Sequence, residues 1–175
     1  MNNVARIIFA CFMFSCAQTH GSRESLNPAV YSAKIDLPQV PKPVGNYLPF
    51  VRTGNLVFIN QVAITDGKIL NPGKVGVDIT EQQAKDSTKL TILNVLAVLK
   101  VAVEGDFGKV KRCVQLTGYF NTQEGYSKHP DLMNVASDLV VRFFGDHGKH
   151  ARATIGASSL PLNSPVEIQA IFEVN

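Results

Sequence analysis

Two residues near the C-terminus, Arg152 and Glu167, offer the clearest chemistry in this chain, and they stand fifteen positions apart. A guanidinium can hold a carboxylate through two parallel hydrogen bonds, and a carboxylate can orient or deprotonate a water molecule. As residue types, they offer anion binding and proton transfer.

Metal and phosphate chemistry are not predicted. The four histidines show no spacing of two histidines and one carboxylate on a helix, and His147 and His150 lie in a glycine-rich loop, so we predict no metal site. We predict no general-acid histidine near Arg152. The phosphate-loop, dinucleotide-binding and serine-elbow motifs are missing from the sequence, and no cofactor is expected.

A single cysteine, Cys113, remains once the N-terminal segment is set aside, and it lies in a strand-like apolar run. One cysteine forms no internal disulfide. A buried structural thiol is favoured over a nucleophile.

Two amphipathic helices are predicted to position these groups. Thr80 and Gln83 form a capping-box pattern, and the helix that follows is expected to stop at Gly105. A second helix is predicted from Pro130 to Phe144, closed by Gly145. Apolar or small residues recur at steps of three and four, as Ala84, Thr88, Ile92, Val95, Leu99 and Ala102 in the first helix and as Leu132, Val135, Ala136, Leu139, Val140 and Phe143 in the second.

Strands are predicted at 55–64, with a hairpin turn at Asp66-Gly67, and at 110–120, 152–157 and 166–173. The order β-β-α-β-α-β-β predicts an α+β domain, a mixed sheet with two helices on one face. Two helices cannot cover both faces of such a sheet, so we expect the other face to be buried in a homo-oligomer.

Composition supports one folded domain at residues 34–175. Hydrophobic residues make up 45% and charged residues 18% of the 175 residues, and the net charge is +3. Because the basic residues are scattered and not interleaved with aromatics, nucleic-acid binding is not expected. No apolar run reaches the roughly 20 residues of a membrane span.

The N-terminus resembles an export signal. Arg6, an apolar run over 7–14 and Ser15-Cys16-Ala17 predict a leader at 1–17, cleaved after Ala17 or lipid-modified at Cys16, followed by a linker at 18–33. Export to a periplasm or out of the cell is the favoured localisation. An organelle leader or a misassigned start codon is the alternative, with a cytoplasmic or organellar protein.

Several motifs occur in the order found in the Rid (YjgF-like) family, and the chain resembles that family from about Ile35 to Asn175. The C-terminal signature is an arginine that opens a strand, a Leu-Pro turn, and a Val-Glu-Ile strand. The other matching segments are Pro43-Val44-Gly45-Asn46-Tyr47, Arg52-Thr53-Gly54-Asn55, Asp66-Gly67-Lys68, Val110-Lys111-Arg112, Leu116-Thr117-Gly118 and Asn134-Val135-Ala136-Ser137-Asp138, which fit a divergent subgroup.

The resemblance implies a chorismate-mutase-like homotrimer with ligand pockets between subunits, hydrolysing 2-imino and 2-enamino acids to 2-oxo acids and ammonia without a cofactor. By position, Arg152 would hold the ligand carboxylate and Glu167 would position water. Tyr47 would contact the ligand, and Asn134 would lie at the pocket wall. The alternative function is a non-catalytic trimer that binds small metabolites in the same cleft.

Each of these residues also has a simpler interpretation. Arg152 and Glu167 would then form ion pairs, with each other or with other charged groups. Tyr47 would pack in the core, and Asn134 would be an ordinary solvent-facing helix residue.

The chain also departs from the family pattern at two predicted ligand-contacting positions. Relatives carry Ser-Gly-Gln where this chain has Asn60-Gln61, so Asn60 replaces the serine, the glycine or both. The segment between Gly54 and Gln61 is one residue shorter, which reverses the side chains of a strand unless a bulge absorbs the change. Thr154 stands where deaminating relatives often carry a cysteine, and its hydroxyl can still form hydrogen bonds.

Overall fold

The structure is a computed structural model that describes residues 35–175. The predicted leader at 1–17 and the predicted linker at 18–33 lie outside these residues.

The described chain forms seven strands and two α-helices, and three short 3-10 turns follow or connect them. The strands are β1 (Phe50–Thr53), β2 (Leu56–Val62), β3 (Ile64–Thr65), β4 (Lys68–Ile69), β5 (Val110–Asn121), β6 (Ala151–Ala157) and β7 (Val166–Val174), and the helices are α1 (Glu81–Ala102) and α2 (His129–Phe144). The 3-10 turns are Phe107–Lys109, Gly145–Gly148 and Pro161–Asn163.

Five strands form the main sheet in the order β1-β2-β7-β5-β6, while β3 and β4 pair separately. All neighbours in the main sheet are antiparallel except β5 and β6, which are parallel and joined through α2. Both helices pack on each other and on the same sheet, so the predicted α+β class with a mixed sheet and two helices is confirmed.

The first helix begins as predicted. The Gln83 N–H donates to the Thr80 hydroxyl at 3.2 Å, and the Thr80 N–H donates to the Gln83 side-chain oxygen at 2.9 Å, which completes a capping box. Of the predicted core positions, all but Ala102 are buried. The helix ends at Ala102, three residues before Gly105.

The predicted hairpin turn at Asp66-Gly67 is present and joins the two-residue strands β3 and β4. The hairpin of the main sheet turns at Gly54-Asn55, between β1 and β2. The predicted strand over 55–64 ends early because the chain leaves the sheet at Ala63. There the Asn94 side chain donates to the Val62 and Ile64 carbonyls at 3.1 and 2.8 Å, which stabilises the bend.

The sheet face opposite the helices, called here the open face, remains partly uncovered in one copy of the chain. Val51 and Ile155 project there and are 53% and 43% exposed. On the helix side, by contrast, alternate residues of β7 from Val166 to Phe172 are completely buried.

Candidate functional site

Asn60 and Glu167 meet on the open face. Because side chains alternate along a strand, the burial of Ile168 and Val166 turns Glu167 to the opposite side. Strand β2 pairs with β7 in continuous register from Leu56 to Val62, so no bulge compensates for the shortened segment. Asn60 therefore lies beside Glu167, and its side-chain amide donates to one carboxylate oxygen at 2.5 Å.

A cleft of about 530 Å³ opens above this pair. The chain segment from Pro41 to Pro49 forms one wall, and Tyr47 lies in it together with Asn60 and Glu167. Its remaining lining is mostly apolar, with Phe58, Ile64 and Leu162 among its members, and it also includes the polar side chains of Lys42, Gln61 and Gln169. Such a cleft fits a small molecule with an apolar part.

Arg152 lies on the other side of the sheet. It pairs with Leu116, which in turn pairs with the buried Ala170, and these three side chains share the helix side. One guanidinium nitrogen, Nη1, donates to Asn134 Oδ1 at 2.8 Å and to Ser137 Oγ at 3.2 Å, both on α2. The side chain itself is exposed to solvent.

The six predicted site residues therefore form two groups within one copy of the chain. Tyr47, Asn60 and Glu167 line the open-face cleft, while Arg152, Asn134 and Thr154 lie together at the edge formed by β6 and α2. The open-face cleft is lined by the first group and by none of the second.

A histidine that the sequence analysis did not include in the site lies near the arginine. His150 Nε2 is 3.1 Å from Ser137 Oγ, and its Nδ1 is 2.6 Å from the Gly148 carbonyl oxygen. The 3-10 turn at 145–148 folds the chain back onto α2. The sequence did not predict this turn, because the glycines around His147 favour an irregular loop. Burial, opposed by the Gly148 contact and aided by the Arg152 charge, lowers the pKa of His150.

The surroundings of these residues can be compared with their simpler interpretations. Tyr47 is 57% exposed and does not pack in the core. Among residues 35–175, Glu167 and Arg152 form no ion pair with each other, because they project from opposite faces. Asn134 is exposed, yet it accepts a hydrogen bond from Arg152.

Cys113 is the buried thiol that the sequence predicted. It is 1% exposed, and desolvation raises the pKa of its thiol to about 12. Within the described part of the chain, no group of three or more histidine, cysteine, aspartate or glutamate side chains is placed to hold a metal ion. No helix over 35–175 is long and apolar enough to cross a membrane.

A five-stranded mixed sheet with two helices on one face is the architecture of the chorismate-mutase-like α+β class. The model of the family described as "YjgF/chorismate_mutase-like, putative endoribonuclease" matches residues 27–174. The chain therefore belongs to the YjgF/chorismate-mutase-like family.

Relatives with known names are similar over most of their lengths. Protein TCP17 of Trypanosoma cruzi is 30% identical over 143 residues, which cover 81% of this chain and 89% of that protein. A 2-iminobutanoate/2-iminopropanoate deaminase of Dermatophagoides farinae is 24% identical over 141 residues, covering 80% and 94%. The solved structure of Agrobacterium tumefaciens Atu1372, a protein of unknown function, is 34% identical with a TM-score of 0.76, covering 86% and 93%.

Proposed function

We propose that this protein hydrolyses reactive 2-imino and 2-enamino acids to 2-oxo acids and ammonia, at sites formed between copies in a homotrimer. The observation that carries the proposal is the division of the site. An arginine suited to bind an anion and a cleft with a carboxylate lie on opposite sides of one sheet, so a site that uses both needs a neighbouring copy of the chain.

Arg152 is suited to hold the substrate carboxylate. Both N–H groups of Nη1 have acceptors on α2, whereas Nε and Nη2 have no acceptor among residues 35–175. A guanidinium edge with two free parallel donors matches the geometry of a carboxylate.

Glu167 is suited to activate water. Its Oε1 atom accepts from Asn60, and this hydrogen bond fixes the orientation of the carboxylate while leaving Oε2 for a water molecule. In the proposed reaction, water oxygen bonds to the C=N carbon while Glu167 takes one water proton and passes it to the nitrogen, which gives a carbinolamine. Glu167 then carries the hydroxyl proton to the nitrogen, the C–N bond breaks, ammonia leaves, and the carbon becomes the carbonyl of the 2-oxo acid.

The trimer is proposed from the open face together with the family resemblance. Leu48 and Val51 leave apolar surface there, 70% and 53% exposed, next to the cleft. A head-to-tail contact repeated around a closed ring would place the cleft of one copy against the Arg152 edge of the next. The ring then has one complete site at each contact.

The named deaminase of Dermatophagoides farinae supports the substrate class. Asn60 and Thr154 support placement in a divergent subgroup, because they replace the residues that the family pattern carries beside the ligand. A small 2-imino or 2-oxo acid and further copies of the chain are the proposed partners, and no step requires a cofactor.

The test is loss of imine formed in situ by an amino-acid oxidase, followed with the wild-type protein and with Arg152→Ala. Losing charge-assisted hydrogen bonds should lower kcat/KM by about 10- to 100-fold. Imine loss no faster than in buffer overturns the proposal. Binding of 2-oxobutanoate without any turnover would instead support the non-catalytic alternative.

A further inference from the structure

Two side chains, those of Ser137 and His150, connect the Arg152 guanidinium to the backbone carbonyl of Gly148 through hydrogen bonds. Arg152 Nη1 is 3.2 Å from Ser137 Oγ, which is 3.1 Å from His150 Nε2, and His150 Nδ1 is 2.6 Å from the Gly148 oxygen. The serine belongs to α2, the histidine precedes β6, and the carbonyl ends a 3-10 turn. The family resemblance includes Ser137 in one of its matching segments but implies no role for Ser137 or His150.

Only one placement of hydrogens satisfies every contact with a neutral imidazole. The Gly148 carbonyl is an acceptor, so His150 Nδ1 must carry the ring proton and Nε2 must accept. Ser137 has one proton and gives it to Nε2, and its oxygen accepts from Arg152. Burial favours this neutral ring by lowering the pKa of His150. All bonds then point the same way, from Arg152 to Gly148, so each strengthens the next.

We propose that Ser137 and His150 are positioning residues that, with Asn134, lock Nη1 of Arg152 and make the ligand carboxylate bind side-on, through the Nε–Nη2 edge. The proposal rests on Arg152 as the carboxylate anchor of the proposed function. An arginine at the exposed start of an edge strand otherwise samples many rotamers, and ordering such a side chain weakens binding. The chain of hydrogen bonds from Arg152 through Ser137 and His150 to Gly148, called here the relay, orders the arginine side chain before the ligand binds.

Two pairs of variants separate this role from simple packing. Ser137→Ala removes the hydroxyl and Ser137→Thr keeps it. His150→Phe keeps the ring without an acceptor, whereas His150→Gln keeps an acceptor oxygen on a side chain of similar reach. We expect Ser137→Ala and His150→Phe to weaken 2-oxobutanoate binding about three- to tenfold by calorimetry, and the conservative variants to restore most of it.

A measurement without ligand tests the relay by itself. In a long-range ¹H–¹⁵N spectrum of the full chain near pH 7, the His150 signals, assigned by their loss in His150→Gln, should show the Nδ1–H tautomer. In Ser137→Ala this tautomer should be less populated. An Nε2–H tautomer in the wild-type protein, or one unaffected by Ser137→Ala, overturns the relay.

The outcomes distinguish the two proposals. One outcome is the expected tautomer together with a wild-type protein that does not bind 2-oxobutanoate, or with an Arg152→Ala variant that binds it as tightly as wild type. The proposal that Arg152 holds the carboxylate and the relay's role in binding then both fail. If Arg152→Ala abolishes binding while Ser137→Ala and His150→Phe bind normally, only the relay fails. Equal weakening in all four relay variants also overturns it, because a lost hydrogen bond would then not be the cause.

Discussion

Arg152 and Glu167 project from opposite faces of the same sheet, although only the strand β5 lies between their strands. Tyr119 of β5 pairs with Glu167 on one side and with Ile155 on the other, so Glu167 and Ile155 share the open face. Arg152 is three residues from Ile155 and therefore faces the helices. A site that uses both residues must take them from different copies of the chain.

The hydrogen bond between Asn60 and Glu167 is expected to matter for rate and little for binding. Asn60→Ala leaves the Glu167 carboxylate without its orienting donor, and kcat should fall about tenfold, the equivalent of a hydrogen bond to a charged group. Gln169→Ala is the matched control, since Gln169 lines the same cleft and pairs with Asn60 across the strands. Steady-state kinetics on both variants checks this, and equal effects would contradict it.

The open face is expected to be the contact between copies. Val51→Glu places a charge there and should convert the proposed trimer to monomers, because an unpaired charge is costly to bury. Val101→Glu on α1 is the matched control, since both valines are 53% exposed, and it should remain trimeric. Light scattering after size-exclusion chromatography measures both masses. A trimeric Val51→Glu protein would show that the contact lies elsewhere.

We expect the buried thiol of Cys113 to lower the free energy of unfolding at high pH. Cys113 keeps its proton in the folded protein until about pH 12, whereas its usual pKa is 9.0, so above pH 9 the unfolded chain loses a proton that the folded chain retains. The free energy of unfolding should fall by about 1.4 kcal/mol at pH 10 from this group. Urea unfolding at pH 8 and pH 10 should show this extra loss in the wild type and not in Cys113→Ala. Parallel pH dependence in the two proteins would contradict it.

Local patterns predicted the helices and the C-terminal strands well. The Thr80 capping box and the three-and-four spacing depend on neighbours in the sequence, and the strand predicted at 152–157 is within one residue of β6. Strand β1 was missed because it has only four residues, mostly exposed, and is defined by its pairing with β2.

The sequence predicted a set of candidate site residues but not their positions relative to one another. Fifteen residues separate Arg152 from Glu167, and the loop between their strands resets which face each side chain takes, so spacing alone does not place them. The contact between Ser137 and His150 depends on the 3-10 turn at 145–148, which brings a loop histidine back to α2. No residue pattern near His150 predicts that this histidine contacts α2.

The most direct test of a shared site is to combine two variants that are each strongly impaired in a different part of it. Arg152→Ala and Glu167→Gln, carrying different tags, are co-expressed, and trimers that contain both are purified through both tags. A ring of three with both kinds of subunit has one contact where an intact Arg152 meets an intact Glu167, so mixed trimers should show about one third of wild-type imine hydrolysis. Mixed trimers as inactive as either parent would contradict a site shared between copies.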